Sequence, residues 1–384
     1  AGLERSDLDV TLITRRWDGP EGSYHRLIRD PFYMGSTWRD AGFARAACDA
    51  VRDGAFDLVQ SHEKVACCDI YRAGDGLHRA WLARRARMLG VAGRAGLRLN
   101  TFHAYTLRAE EALFRSPRLR AVICIPQMVK REIQDAFGLD DARLPVIYNG
   151  IDPQVYNPGV RAERQRIRQE LGVPAEVPLF LFVGSGYERK GLDRVLEALP
   201  AACWLLVVGK DKHEKSYREL AERRGIAGRV RFLGAQRDVR PYYGAADAFV
   251  FPTRYEPFGN VILEAMACGL PVVTTTDCGG ADLVEEGVSG HVYVGEHQDA
   301  LVALLERLSD PLLARRCGDA AALVAAKYDL TVMTQQMVDL YRRLLGEAPS
   351  VFYGSRASTT VDLGARAGLT RILRFLSVQA PRDR

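Results

Sequence analysis

Two glutamates, Glu256 and Glu264, bracket the stretch EPFGNVILE, in which a glycine and an asparagine precede an apolar helical run. Carboxylates accept hydrogen bonds from hydroxyls, so a pair flanking a helix start can grip two ends of a polyhydroxyl ligand. With a helix beginning near Gly259 or Asn260, the free amides of Phe258, Gly259, Asn260 and Val261 face an anion at the positive helix end. Glu264 then lies just past the first turn, its side chain leaning back toward that end. Glu264 suits a vicinal diol such as a ribose, Glu256 suits sugar hydroxyls, and a diphosphate fits between them. The spacing matches a nucleotide-sugar. The plainer alternative is one solvated loop charge and one residue on the polar face of a helix.

Two basic loops point the same way. GSGYERKG at 184–191 offers Gly184 and Ser185, small enough for backbone to approach a ligand, and then Arg189 and Lys190. GKDKHEK at 209–215 places Lys210, Lys212 and Lys215 after a glycine. Each cation alone is an ordinary surface charge, but two such loops in one sheet give a diphosphate a natural focus.

Both loops follow apolar runs that must position them. LFLFVG at 179–184, WLLVVG at 204–209, VRFLG at 230–234, AFVFP at 248–252, PVVTTT at 271–276 and HVYV at 291–294 are separated by turns and helical segments. The first half offers strands at Val10–Thr14, 57–61, 121–125 and 144–148, and helices at Thr37–Arg52 and Val129–Phe137. Continuous apolar strands alternating with helices predict α/β architecture, two Rossmann-like halves with sheets covered on both faces. Ligands of such sheets bind at the carboxyl ends of the strands. An Asn-Gly turn and two prolines in YNGIDPQVYNP at 148–158 mark a hinge, giving domains at 1–150 and 151–346. Residues 347–384, with six arginines against three acids, read as a basic tail.

Composition agrees with two domains in 384 residues, and 47% hydrophobic with 26% charged residues excludes global disorder. The apolar runs fall well short of the ~20 residues of a bilayer span. Eight cysteines show neither CxxC pairs nor zinc spacing, so reduced thiols in a cytoplasmic protein are expected. Asp7–Asp9 forms a DxD, read as a polar turn before a strand and not as a manganese site.

The E-x7-E pattern, NGID at 149–152, ERKG at 188–191, GAADAFVFPT at 244–253 and the glycines Gly279 and Gly280 together resemble family 4 retaining glycosyltransferases. That resemblance covers about residues 8–346 and implies the GT-B fold, two facing Rossmann-like domains with a cleft between them. VGSGYERKGLDR at 183–194, VVGKDKHEK at 207–215 and YRAGDGLHRAWL at 71–82 are similar to the lipopolysaccharide core glucosyltransferases, which act on inner-core heptose. The likeness implies a UDP-sugar donor, with glucose as the hexose, and a lipopolysaccharide inner-core acceptor. It sets Arg189 and Lys215 on the diphosphate, Glu264 on the ribose, and Glu256 with the Phe258–Asn260 backbone on the hexose. Gln236 and Asp238, in the segment Gln236–Val239, would border the uracil. Asp75 would face the acceptor, with His62 and His103 as further candidates, although an aspartate there also serves simply to order a Gly-rich turn. Neither metal nor cofactor is implied. Members of the family begin with a strand and a glycine-rich loop, and none precedes Val10, so a first strand missing from this chain is expected. A catalytically silent protein of the same fold is the alternative function, as is a family 4 transferase with another lipid or polysaccharide acceptor.

Gly76–Ala109 carries seven arginines and no acid, with Trp81, Leu82, Met88, Leu89 and Val91 among them. Arg79, Trp81, Arg84, Arg85 and Arg87 read as an interfacial segment for anionic lipid, placing the protein peripherally on the inner face of the cytoplasmic membrane. Nucleic acid is not expected, since no recognition motif accompanies the arginines.

Overall fold

The computed structural model describes residues 8–19, 22, 24–346 and 370–375, the last six by backbone alone. These residues divide into two compact units, the second comprising Pro126–Met128 and Tyr148–Val332 and the first holding the remainder. The boundary at 147/148 lies close to the predicted hinge.

In the first unit, β1 (Leu8–Thr14), β2 (Tyr24–Ile28), α1 (Ser36–Asp53), β3 (Leu58–Ser61), β4 (Ile70–Ala73), α2 (His78–Arg87), α3 (Val91–Leu99), α4 (Thr101–Phe114), β5 (Ala121–Cys124) and α5 (Gln127–Phe137) follow one another. Its core gathers Ile13, Val59, Tyr71 and Val122 from the strands and Phe43, Leu113 and Ile133 from the helices. β2 and β4 escape the pattern reading: YHRLI alternates polar residues across a largely exposed edge, and IYRA is only four residues long.

In the second unit, α6 (Arg164–Glu170), β6 (Leu179–Val183), α7 (Tyr187–Lys190), α8 (Leu192–Ala198), β7 (Trp204–Val208), α9 (Glu214–Arg223) and β8 (Val230–Gly234) come first. They are followed by α10 (Arg240–Ala245), β9 (Ala248–Phe251), α11 (Asn260–Ala267), β10 (Val272–Thr275), β11 (Gly290–Tyr293), α12 (Gln298–Arg307) and α13 (Pro311–Ala325). All six strands are parallel in the order β11-β10-β9-β6-β7-β8. Strand order reverses between β6 and β9, which makes the loops at their carboxyl ends the expected ligand crevice.

Three expectations are corrected. α14 (Leu330–Leu345) joins the first unit from Met333 onward instead of closing the second, because Tyr341 is buried there and donates to Gln60 Oε1 at 2.6 Å. Cys48 of α1 and Cys67 are joined as a disulfide with their Cα atoms 5.6 Å apart, so two of the eight thiols are not free. No sequence spacing announces that pair; it follows from α1 packing beside the β3–β4 loop. Finally, the first sheet runs β2-β1-β12-β3-β4-β5, and its place between β1 and β3 is filled by β12 (Thr370–Phe375), from the segment read as a tail. β12 is parallel to both neighbours, Val10 pairing with Ile372 and Phe375 with Ser61. The rest of the tail and Asp7 lie outside the described residues. Asp9 sits within β1, 3.5 Å from His25, and not in a turn.

Candidate functional site

The loops after β6, β7, β9 and β10 converge in the second unit. Gly184 ends β6 at φ 148°, and a Cβ there would lie 2.4 Å from Lys190 Nζ, so the glycine makes room for that ammonium. Gly209 is as tightly placed, since its Cβ would strike the Gly184 carbonyl oxygen at 2.3 Å. The two basic loops are tied together by Tyr187, whose amide donates to Asp211 (2.8 Å) and whose hydroxyl donates to the Gly209 carbonyl (2.8 Å).

Arg189 and Lys190 end α7 and face the loop after β9. The Arg189 guanidinium donates to Glu256 Oε2 (2.7 Å) and to the Tyr255 carbonyl (2.9 Å), while its own carbonyl accepts from Thr253 Oγ1. Lys190 Nζ lies 3.9 Å from Glu256 Oε2 and 5.2 Å from the Phe251 ring centre. Burial pulls the Lys190 pKa below the usual lysine value, against the opposing pull of Glu256 and, more weakly, Glu264. Its ammonium therefore sits within electrostatic reach of both carboxylates.

Glu256 is fixed through its backbone, its amide donating to the Asp277 carbonyl and its carbonyl accepting from Gly279. A side chain at Gly279 would come 1.8 Å from the Pro257 carbonyl oxygen, and one at Gly280 2.5 Å from that of Phe258. That close approach is why two glycines stand after β10. Phe258 is buried at 3% exposure, anchoring the turn. Gly259 then takes the left-handed conformation (φ 74°) and starts α11 at Asn260, with no side chain capping the first turn. An uncapped helix N-terminus exposes amide donors to an anion. Asn149 of the NGID stretch donates to Asn260 Oδ1 at 2.7 Å.

Glu264 lies one turn into α11, and its Oε2 accepts from the hydroxyl of Tyr243 at 2.9 Å. Burial raises its pKa above the usual carboxylate value, opposed by that hydrogen bond and by Lys190. The structure thus gathers Gly184, Arg189, Lys190, Glu256, Gly259, Asn260 and Glu264 around one polar corner. Ser185 borders it, its hydroxyl accepting from the Lys210 amide (3.3 Å). Val261 follows in the first turn of α11.

The other candidates have different neighbours. Lys215 is 92% exposed in α9 and 3.9 Å from Glu219, with no described contact to Arg189 or Glu256. Asp238 is engaged by Arg240 at 2.7 Å, which lowers its pKa, and Gln236 donates to the Leu233 carbonyl. Asp75 is exposed in the turn before α2 of the first unit, and His62 of that unit lies 3.2 Å from Gln60. His103 meets His78 at 3.2 Å, and its pKa is lowered by burial and by Arg85.

The arginine-rich stretch is less uniform than its sequence. Arg79 pairs with Glu111 (2.7 Å) and Arg84 with Glu132 (2.8 Å), acids supplied by α4 and α5, which a reading of 76–109 alone does not contain. Arg85 lies over the Trp81 ring and is exposed, as is Arg87. Beside them Met88, Val91 and Leu99 are 51%, 85% and 82% exposed. Among the described residues no helix is long and apolar enough to cross a membrane.

Known proteins share this architecture. Residues 163–324 match the family described as Glycosyl transferases group 1, and residues 1–155 match Glycosyltransferase Family 4. The lipopolysaccharide glucosyltransferase WaaG of Escherichia coli K12 is 28% identical over 292 residues, 74% of this chain and 76% of that protein. The lipopolysaccharide core biosynthesis glycosyltransferase LpsE of Rhizobium meliloti is 33% identical, over 47% of this chain and about half (54%) of its own length. A crystal structure of WaaG superposes with a TM-score of 0.72 at 26% identity, covering 86% of this chain and 90% of that one. Anabaena HepE in complex with UDP-glucose shares the fold, with a TM-score of 0.67 at 20% identity, covering 87% and 99% of the two chains.

Proposed function

This chain belongs to glycosyltransferase family 4, with the GT-B fold and a likeness to WaaG, and on that premise we propose that it transfers glucose from UDP-glucose to an inner-core heptose of lipopolysaccharide. The observation that carries this reading is the corner where Arg189, Lys190, Glu256, the start of α11 and Glu264 meet. Arg189, Lys190 and the first amides of α11 receive the diphosphate, Glu264 the ribose and Glu256 the hexose. Lys190 takes the role first assigned to Lys215, because its side chain is only 14% exposed and lies beside Glu256, while that of Lys215 is 92% exposed.

The proposed reaction needs little from the protein beyond charge. The bond between the anomeric carbon and the phosphate oxygen breaks, an acceptor hydroxyl oxygen bonds that carbon on the same face, and the departing phosphate takes the hydroxyl proton. UDP leaves and the anomeric configuration is kept. Two cations and helix amides aimed at the developing phosphate charge lower the barrier electrostatically. No step assigns work to a divalent cation. Transfer is therefore expected to persist in excess EDTA, assayed by mass spectrometry with a panel of UDP-sugars and truncated core acceptors. Complete loss restored by manganese or magnesium would overturn this part of the reading.

Membrane association on the cytoplasmic face is the second part. It is supported by exposed Arg85 and Arg87 beside exposed Met88, Val91 and Leu99. Each basic residue near an anionic surface contributes about 1 kcal/mol, decaying within a Debye length. Replacing Arg85 and Arg87 by glutamine is expected to weaken binding to anionic vesicles, read by co-sedimentation at low salt, by about 2 kcal/mol or roughly thirtyfold. Substituting Arg84, already paired with Glu132, adds little. Equal binding to neutral and anionic vesicles would contradict the proposal.

A further inference from the structure

Tyr243 was not among the residues that the sequence singled out, yet it is fully buried and its hydroxyl donates to Glu264 Oε2 at 2.9 Å. A buried tyrosine hydroxyl needs a partner, and here the partner is the one carboxylate assigned to the ribose. The ring is held from several sides. Its centre is 6.4 Å from that of Tyr156 and 6.1 Å from that of Phe249. Gly244, the next residue, lets α10 press on the Pro158–Glu163 turn, where a Cβ would strike the Val160 carbonyl oxygen at 2.2 Å. Tyr243 is thus a rigid post, and Glu264 is the flexible side chain tied to it.

We propose that Tyr243 is a positioning residue that holds Glu264 in the rotamer and charge state that accept the ribose diol of the nucleotide. This deepens the donor reading of the second unit and rests on it. With Oε2 engaged by Tyr243, Oε1 and the second lone pair of Oε2 remain for the ligand. The same bond offsets the effect of burial, which favours the protonated carboxyl. The groups facing Glu264 are Lys190 on α7, Tyr243 on α10, Tyr156 on the loop before that turn, and Cys268, just past the end of α11. Of these, Tyr243 has the hydrogen bond.

The test is calorimetric titration of the full chain with UDP and with 2′-deoxy-UDP, for wild type, Tyr243→Phe, Glu264→Ala and the double variant. Tyr243→Phe keeps the ring and its packing, and the thermal midpoint checks that the fold is retained. Without that bond Glu264 must be ordered and kept ionised at the moment the diol binds, so UDP is expected to weaken roughly tenfold and 2′-deoxy-UDP less than about twofold. The double variant is expected to bind UDP no more weakly than Glu264→Ala. In Tyr243→Phe the acid limb of UDP affinity also moves to higher pH, since the carboxyl loses the bond that lowers its pKa. Equal weakening of both nucleotides, or additive losses in the double variant, would make Tyr243 a packing residue only and overturn the proposal. Failure of the wild type to bind UDP would overturn the donor reading and this proposal with it, a result distinct from the other two.

Discussion

Glu256→Ala is expected to lower hexose transfer about a hundredfold or more while leaving UDP affinity within about threefold of wild type. The Glu256 carboxylate is bound to Arg189 at 2.7 Å and lies 3.9 Å from Lys190. Removing it frees both cations to meet the diphosphate, so nucleotide binding has no reason to fall. What is lost, on the proposed reading, is the carboxylate that would orient the hexose, an interaction that UDP, which has no hexose, does not make. Glu264→Ala is expected to behave oppositely, because its proposed target is the nucleoside. A hydrogen bond to a charged group contributes about 1.5–3 kcal/mol, so UDP itself weakens roughly tenfold or more. Calorimetry with UDP beside steady-state transfer separates the two. Equal loss of UDP binding in both variants would reject the division of labour between the carboxylates.

The second large effect concerns stability of the first unit. Leu373→Pro places proline in β12, whose neighbours on both sides are β1 and β3, pairing Leu373 with Thr11 and Val59. Proline cannot donate to a ladder and is confined to sheet edges, and this strand is interior. A cost of about 3 kcal/mol or more is expected, a large share of a domain's stability. β12 also separates two strands that would otherwise present unpaired edges, which invites aggregation. The measurement is thermal and urea unfolding of the full chain with the site of proteolytic nicking mapped: early cleavage is expected in the first unit, with UDP binding by the second unit retained below its own transition. An unchanged unfolding profile would show that β12 does not support the sheet.

Much of the second unit was legible because several of its strands are short continuous runs of buried apolar residues, as in LFLFV and AFVF, followed by glycine or proline. The site loops were legible for the related reason that their glycines are demanded by backbone contacts, Gly279 against Pro257 and Gly209 against Gly184. β12 was not legible, since TRILRF carries two arginines among its six residues and its pairing partners lie more than three hundred residues away in the sequence. Charge partners across elements were equally hidden: the segment around Arg79 and Arg84 looks uniformly basic until α4 and α5 bring Glu111 and Glu132 beside it. Tyr243 was passed over because its meaning lies in one hydrogen bond to a residue twenty-one positions on. The two tyrosines before GAAD, on a helix that follows the Gln236–Val239 segment, were the signal available.

The central claim is transfer of a hexose from UDP-sugar with retention, and the anomeric configuration of the first product bond tests it most directly. The full chain is incubated with UDP-glucose and a heptose-terminated core acceptor, and the product is followed by NMR from the earliest turnover. The account predicts one added hexose on the acceptor, linked in the same anomeric configuration as in the donor, with UDP released in equal amount. An inverted linkage, or UDP-glucose bound without any transfer to acceptor or water, would contradict it.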